Sequence, residues 1–142
     1  MLDHLHQKAA QTLASVDSVI LSSFGPADIQ ISRVPSISDD LILYVFIPRS
    51  SDHLLNLEHR QEVVVAVDEW ELQGNARLLD RNEIPMVVHL SNKNSSFKRP
   101  ESFWNKAWGC TVEIHPTRLT IHSLCGQGNL ETIDFNPERR NK

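Results

Sequence analysis

Between Pro48 and His53 the chain reads Pro-Arg-Ser-Ser-Asp-His, which sets a cation, two hydroxyls, a carboxylate and an imidazole side by side. An apolar, aromatic-bearing run ends at Pro48, and Leu54, Leu55 and Leu57 follow, so this segment stands where a strand gives way to a short helix. The first turn of a helix carries unpaired N–H groups and the positive end of the helix dipole, an arrangement that suits a phosphate. Arg49 would add a forked pair of hydrogen bonds to phosphate oxygens. Ser50 or Ser51 would donate a hydroxyl, and His53 would point the same way. The same residues also make an ordinary helix start, with Ser51 as the cap, Asp52 complementing the dipole, and Arg49 and His53 in water.

The other chemistry-bearing residues are scattered. There are 7 histidines, and imidazole ligates both metals and haem, yet none stands in an HExxH pattern and no metal site is expected. His53, His89 and His122 remain conceivable as axial haem ligands, whereas His4, His6 and His59 read as solvated. Cys110 reads as a small buried hydrophobe in a strand, and Cys125 as an unactivated thiol beside Gly126. Trp70 reads as barrel or interface packing, and Trp104 with Trp108 as the apolar face of a short helix. No residue is assigned a catalytic role.

These groups must be positioned by the elements around them. Leu2, Leu5, Ala9, Leu13 and Val16 form one helical stripe, which predicts a helix over about residues 2–15. Strands are predicted at Ser18–Phe24, Ile29–Val34, Leu41–Ile47, Glu62–Val67 and Trp70–Leu79, with turns at Gly25-Pro26-Ala27-Asp28 and Asp39-Asp40. Short helices are expected over Met86–Leu90 and Pro100–Trp108. A last pair of strands, Cys110–His115 and Arg118–Ser123, is expected around a turn at His115-Pro116-Thr117. Strand candidates joined by short turns favour an antiparallel barrel over a parallel sheet, whose crossovers need about a dozen residues each. The expected fold is therefore mainly β (α+β): a six- to seven-stranded antiparallel split barrel with an N-terminal helix and short peripheral helices. One domain is expected over residues 1–125, followed by an irregular tail over 126–142.

Composition narrows the function classes. The chain has 142 residues, 40% hydrophobic and 23% charged, with a formal net charge of −4. That length supports one domain with a real core. The mild acidity argues against a nucleic-acid binder, which would show a basic face. No apolar run approaches the ~20 residues that cross a bilayer. Two cysteines without CxxC spacing make neither a disulfide framework nor a zinc ribbon, so a cytoplasmic setting is expected.

The order of motifs over Val19–Leu79 resembles that of the pyridoxamine 5′-phosphate oxidase-like family, the FMN-binding split β-barrels. The resemblance is carried by Ser32-Arg33-Val34-Pro35, the strand Leu41–Ile47, the loop Arg49–His53 and Asn56-Leu57. It continues through Glu62–Val67 and Gln73-Gly74-Asn75-Ala76-Arg77-Leu78, and Cys110–Ser123 resembles the family's last hairpin. It implies a homodimer with FMN in a cleft between subunits. Arg49, Ser50, Ser51 and His53 would lie at its phosphate, Arg33, Val34, Pro35 and Ser36 along the isoalloxazine ring, and Gln73 or Gly74 on the far side. The resemblance further implies a flavin-dependent oxidoreductase of a small molecule, with the flavin supplying the chemistry. His53 stands where family members that hold FMN usually carry Lys, and the substrate pattern of pyridoxamine phosphate oxidases proper is not evident, so that reaction is not expected. The alternatives are a non-enzymatic split-barrel module that has lost FMN, or a haem- or deazaflavin-binding member.

Overall fold

The computed structural model describes residues 2–80, 82–83, 108–122 and 130–135. In chain order the elements are α1 (Leu2–Ala14), β1 (Ser18–Ser23), β2 (Gln30–Asp39), β3 (Ile42–Pro48), α2 (Asp52–His59), β4 (Glu62–Ala66), β5 (Trp70–Leu78), β6 (Gly109–His122) and β7 (Leu130–Asp134). The strands run β3-β2-β1-β4-β5-β6-β7, each antiparallel to its neighbours. A further β3–β6 pairing, from Leu43 opposite Ile114 to Pro48 opposite Gly109, closes β1 to β6 into a barrel and leaves β7 outside it on β6. The mainly β split-barrel architecture read from the sequence is the observed one.

The interior follows the strands' period of two. Val19 and Leu21 of β1, Val63 and Val65 of β4, Leu43, Val45 and Ile47 of β3, and Val112 and Ile114 of β6 share one core. Helix α1 closes one side of it, burying Ala9 and Leu13 with Leu5 and Val16 at the margin, as the helical stripe predicts. Burial of a side chain such as Leu13 stabilises by about 2 kcal/mol. Trp70 is 1% exposed and belongs to this core.

Three expectations change. The hairpin around His115-Pro116-Thr117 is absent: residues 109–122 form one continuous strand, β6. Pro116 lacks an N–H and is tolerated in a central strand only where the ladder is already interrupted. That interruption is a bulge between Gln73 and Gly74, where Gln73 opposes Arg118 and Gly74 opposes Pro116. A Cβ on Gly74 would lie 2.8 Å from the His115 carbonyl oxygen, so the close approach of β5 to β6 there requires glycine. Here too β6 changes partner on its other side, from β3 to β7. Second, the irregular tail contains β7, which buries Ile133 and whose Glu131 accepts from Lys8 Nζ of α1 at 2.7 Å. Third, Cys110 is half-buried rather than buried.

The expected helices over Met86–Leu90 and Pro100–Trp108 fall outside the described residues except for Trp108, as do His89, Trp104 and Cys125. Trp108 is exposed and meets Phe46 edge-on at a centroid distance of 5.0 Å.

Candidate functional site

Helix α2 begins as the sequence implies. Ser51 is its cap, with extended backbone (φ −74°, ψ 139°) and Oγ accepting the His53 N–H at 3.1 Å. Arg49 and Ser50 lie exposed in the loop before it, and the Arg49 N–H donates to the Trp108 carbonyl at 2.8 Å. The exposed Asp52 occupies the first turn and complements the dipole. His53 does not join Arg49 in the loop. Its ring turns inward, 1% exposed, with Nδ1 2.6 Å from Ser23 Oγ and Nε2 3.1 Å from Ser32 Oγ. Burial holds the imidazole below its usual pKa, against the opposing pull of Asp52.

Asn56, three residues further along α2 and so on the same helical face, completes this polar interior. Its Oδ1 accepts the Ala27 N–H at 2.9 Å, and its Nδ2 donates to the Asp28 carbonyl at 2.8 Å and to Ser23 Oγ at 3.2 Å. The amide thus satisfies the turn between β1 and β2, where Asp28 has φ 62°. Gly25 approaches so closely that a Cβ would stand 3.0 Å from Asn56 Oδ1, and its φ of 153° favours glycine as well. Sequence reasoning did not single out Ser23, Ser32 or Asn56 as site residues. The three-residue spacing of His53 and Asn56 on an amphipathic helix was the available signal.

The other residues expected at a cofactor divide by strand face. Val34 and Ser36 turn into the barrel, buried, whereas Arg33 and Pro35 take the outward face of β2. Pairing sets Arg33 opposite Ile20 and Ile20 opposite Ala66, and it sets Ile31 opposite Ser22 and Ser22 opposite Val64. The outward face therefore carries Ile31, Ile20, Val64 and Ala66 with Ser22 among them and Arg33 at one margin. Arg33, Ile20 and Ala66 line a cleft of about 520 Å³, and Arg33 Nη1 donates to Ser18 Oγ at 3.2 Å. Val64, Gln73, Gly74 and Phe24 line another of about 490 Å³, with the Arg60 guanidinium 5.4 Å from the Phe24 ring centre. Val64 and Ala66 share one face of β4, so the two clefts adjoin along it.

A second polar cluster crosses β3, β6 and β5. Tyr44 and Arg77 both stand opposite Glu113. Glu113 Oε1 accepts from Arg77 Nη2 at 3.0 Å and lies 2.7 Å from His115 Nε2, and Arg77 also reaches Glu83 Oε2 at 2.8 Å. Burial alone would raise the Glu113 carboxyl, but the hydrogen bonds from His115 and Arg77 hold it below the usual range. Burial, with the Glu113 charge beside it, pushes the Tyr44 hydroxyl up to about 12. Among the described residues no group of three or more His, Cys, Asp or Glu side chains is placed to hold a metal ion.

No family model matches the sequence, and no curated protein matches it. Solved structures do match the fold. One is a protein from Clostridium acetobutylicum related to general stress protein 26 of Bacillus subtilis and described as of the pyridoxinephosphate oxidase family. It is 12% identical, with a TM-score of 0.69 over 94% of this chain and 96% of that one. Another is a FAD-binding protein from Mesorhizobium loti, at 14% identity and a TM-score of 0.61 over 80% and 88% of the two chains. A third is HutZ, the haem storage protein from Vibrio cholerae, at 12% identity and a TM-score of 0.62 over 82% and 94%. The chain has the split-barrel fold of the pyridoxamine 5′-phosphate oxidase-like proteins, a fold on which one relative binds flavin and another stores haem. No helix among the described residues is long and apolar enough to cross a membrane.

Proposed function

We propose that the chain is a cytoplasmic FMN-binding protein that works as a homodimer and transfers electrons between the flavin and a small molecule. The observation that carries this reading is the outward face of β2, β1 and β4, where Ile20, Val64 and Ala66 stand with Ser22 beside Arg33. The donor set suits a phosphorylated flavin: Ser32, Ser50 and Arg49 are exposed donors near the first turn of α2, and Ile20, Val64 and Ala66 offer a flat apolar surface for a ring. FMN would supply the redox chemistry, while Arg49 and Ser50 would hold its phosphate and Arg33 and Pro35 would flank its ring. Two open clefts on one face, neither enclosing a ligand by itself, support a site completed by a second copy.

The test is a visible spectrum of the purified protein and a titration with FMN, alongside sedimentation of the apo and loaded forms. A yellow protein, or saturable binding at tens of micromolar or below, together with a dimer, supports the reading; a colourless protein that does not bind overturns it. Haem is the second reading, favoured by the likeness of fold to HutZ and by the exposed His122 on β6. A Soret band lost in His122→Ala would select it. Deazaflavin in place of FMN is read from a parallel titration.

A further inference from the structure

The buried hydrogen bonds around His53 have a direction, because each hydroxyl has a single proton to give. Asn56 Oδ1 accepts the Ala27 N–H, which assigns the other arm of the amide as the donor. That arm donates to Ser23 Oγ, and the buried Ser23 proton has His53 Nδ1, 2.6 Å away, as its one acceptor among the described residues. Nδ1 is therefore unprotonated in the neutral imidazole, and the ring proton sits on Nε2, facing Ser32 Oγ at 3.1 Å. Ser32 accepts this bond and is exposed on β2, which leaves its proton for an acceptor outside the relay.

We propose that Asn56, Ser23, His53 and Ser32 form a one-way relay that fixes Ser32 as a neutral donor to a phosphate-ester oxygen. By this device the site tells a phosphorylated flavin from an unphosphorylated one without a cation at position 53. Ser32 is the residue that touches the ligand; His53, Ser23 and Asn56 are positioning residues behind it. A neutral buried imidazole fits this role because a protonated ring would drive Nδ1–H against Ser23 and leave the Ser23 proton without its acceptor. Desolvation of the His53 ring acts in the same direction. The inference rests on the flavin reading above, and its two halves fail separately.

The relay itself is tested without flavin, by ¹⁵N NMR of the histidine ring nitrogens at pH 7. The neutral Nε2–H form of His53 is expected, with Ser23→Ala mixing the two tautomers. A predominant Nδ1–H form, or an imidazolium, overturns the relay whatever the flavin does. The ligand half is tested by fluorescence titration of wild type, Ser32→Ala and Ser32→Thr with FMN and with riboflavin. Ser32→Ala is expected to weaken FMN about tenfold while leaving riboflavin unchanged, and Ser32→Thr to restore FMN. Equal losses for both flavins overturn the donor assignment. A wild type with the Nε2–H tautomer that binds no FMN overturns the functional reading, and the phosphate assignment with it.

Discussion

Around His53 the barrel holds a polar cluster with no net charge: an amide, a neutral imidazole and the Ser23 hydroxyl are buried, and the Ser32 hydroxyl is exposed at the far end. Around Glu113 it holds a charged cluster, two carboxylates against a guanidinium and a histidine, with Arg77 and His115 each about half exposed. The first lies under α2 and fixes backbone groups of the turn between β1 and β2, whereas the second staples three strands from outside. A neutral buried network is costly to interrupt because each abandoned group forfeits its solvation. A charged network near solvent is screened and tolerant of change, but it responds to pH at its carboxylates. Rigidity is thus concentrated under α2, and adjustability where β3, β6 and β5 meet.

The contrast is open to attack, starting where the largest effect is expected. Asn56→Leu strips partners from Ala27, Asp28 and Ser23 at once and should lower unfolding stability by about 3 kcal/mol in urea titration. A loss below about 1 kcal/mol would remove the claim that the neutral cluster is the rigid one. Glu113→Gln, by comparison, should lose only about 1 kcal/mol, because Arg77 keeps Glu83 and water.

The pH profile then separates the clusters. His53 has a lowered folded pKa, so the unfolded chain takes up its proton first, and stability present above pH 6.5 should fall as pH drops below that value. His53→Asn should flatten this limb. Glu113 also has a lowered folded pKa, so its contribution is present above about 4.5 and is lost only as pH falls further; Glu113→Gln should flatten that lower limb alone. Tyr44 is raised, so its contribution holds below pH 10 and fades as pH rises toward about 12, a limb that Tyr44→Phe should abolish. An acid profile unchanged by both His53→Asn and Glu113→Gln would contradict the assignment of either cluster. The smallest effect is expected at Lys8→Met, which breaks a half-exposed pair to Glu131 and should cost about 0.5 kcal/mol or less.

Much of the barrel was legible because its core strands obey simple rules. The α1 stripe, the Ser51 cap and the β-branched run Glu62–Val67 each declare themselves through local pattern, and each took the predicted form. What misled was chemistry with two structural uses. Pro116 marks a turn as readily as a bulge, and only the glycine opposite it on β5, distant in sequence, decides between them. Strand β7 escaped notice because it buries Ile133 alone among polar neighbours, too little for alternation to show. The site shows the same division. The helix start was visible, but the inward turn of His53 depends on Ser23 and Ser32, which reach it only through tertiary pairing of β1 with β2.

The length of β6 bears on how the chain reaches this structure. Hairpins β1–β2 and β2–β3 join neighbours in sequence and can zip locally, with α2 docking behind them. Closure cannot, because Leu43 must find Ile114 and Pro48 must find Gly109 across a large part of the chain. Loop-closure entropy has to be met before those contacts return anything, which makes β6 docking the natural slow step. Until it occurs, β3 is an open edge of apolar residues, and an exposed edge of that kind invites pairing with other molecules. Refolding yield should therefore depend on concentration in the interval before the barrel shuts.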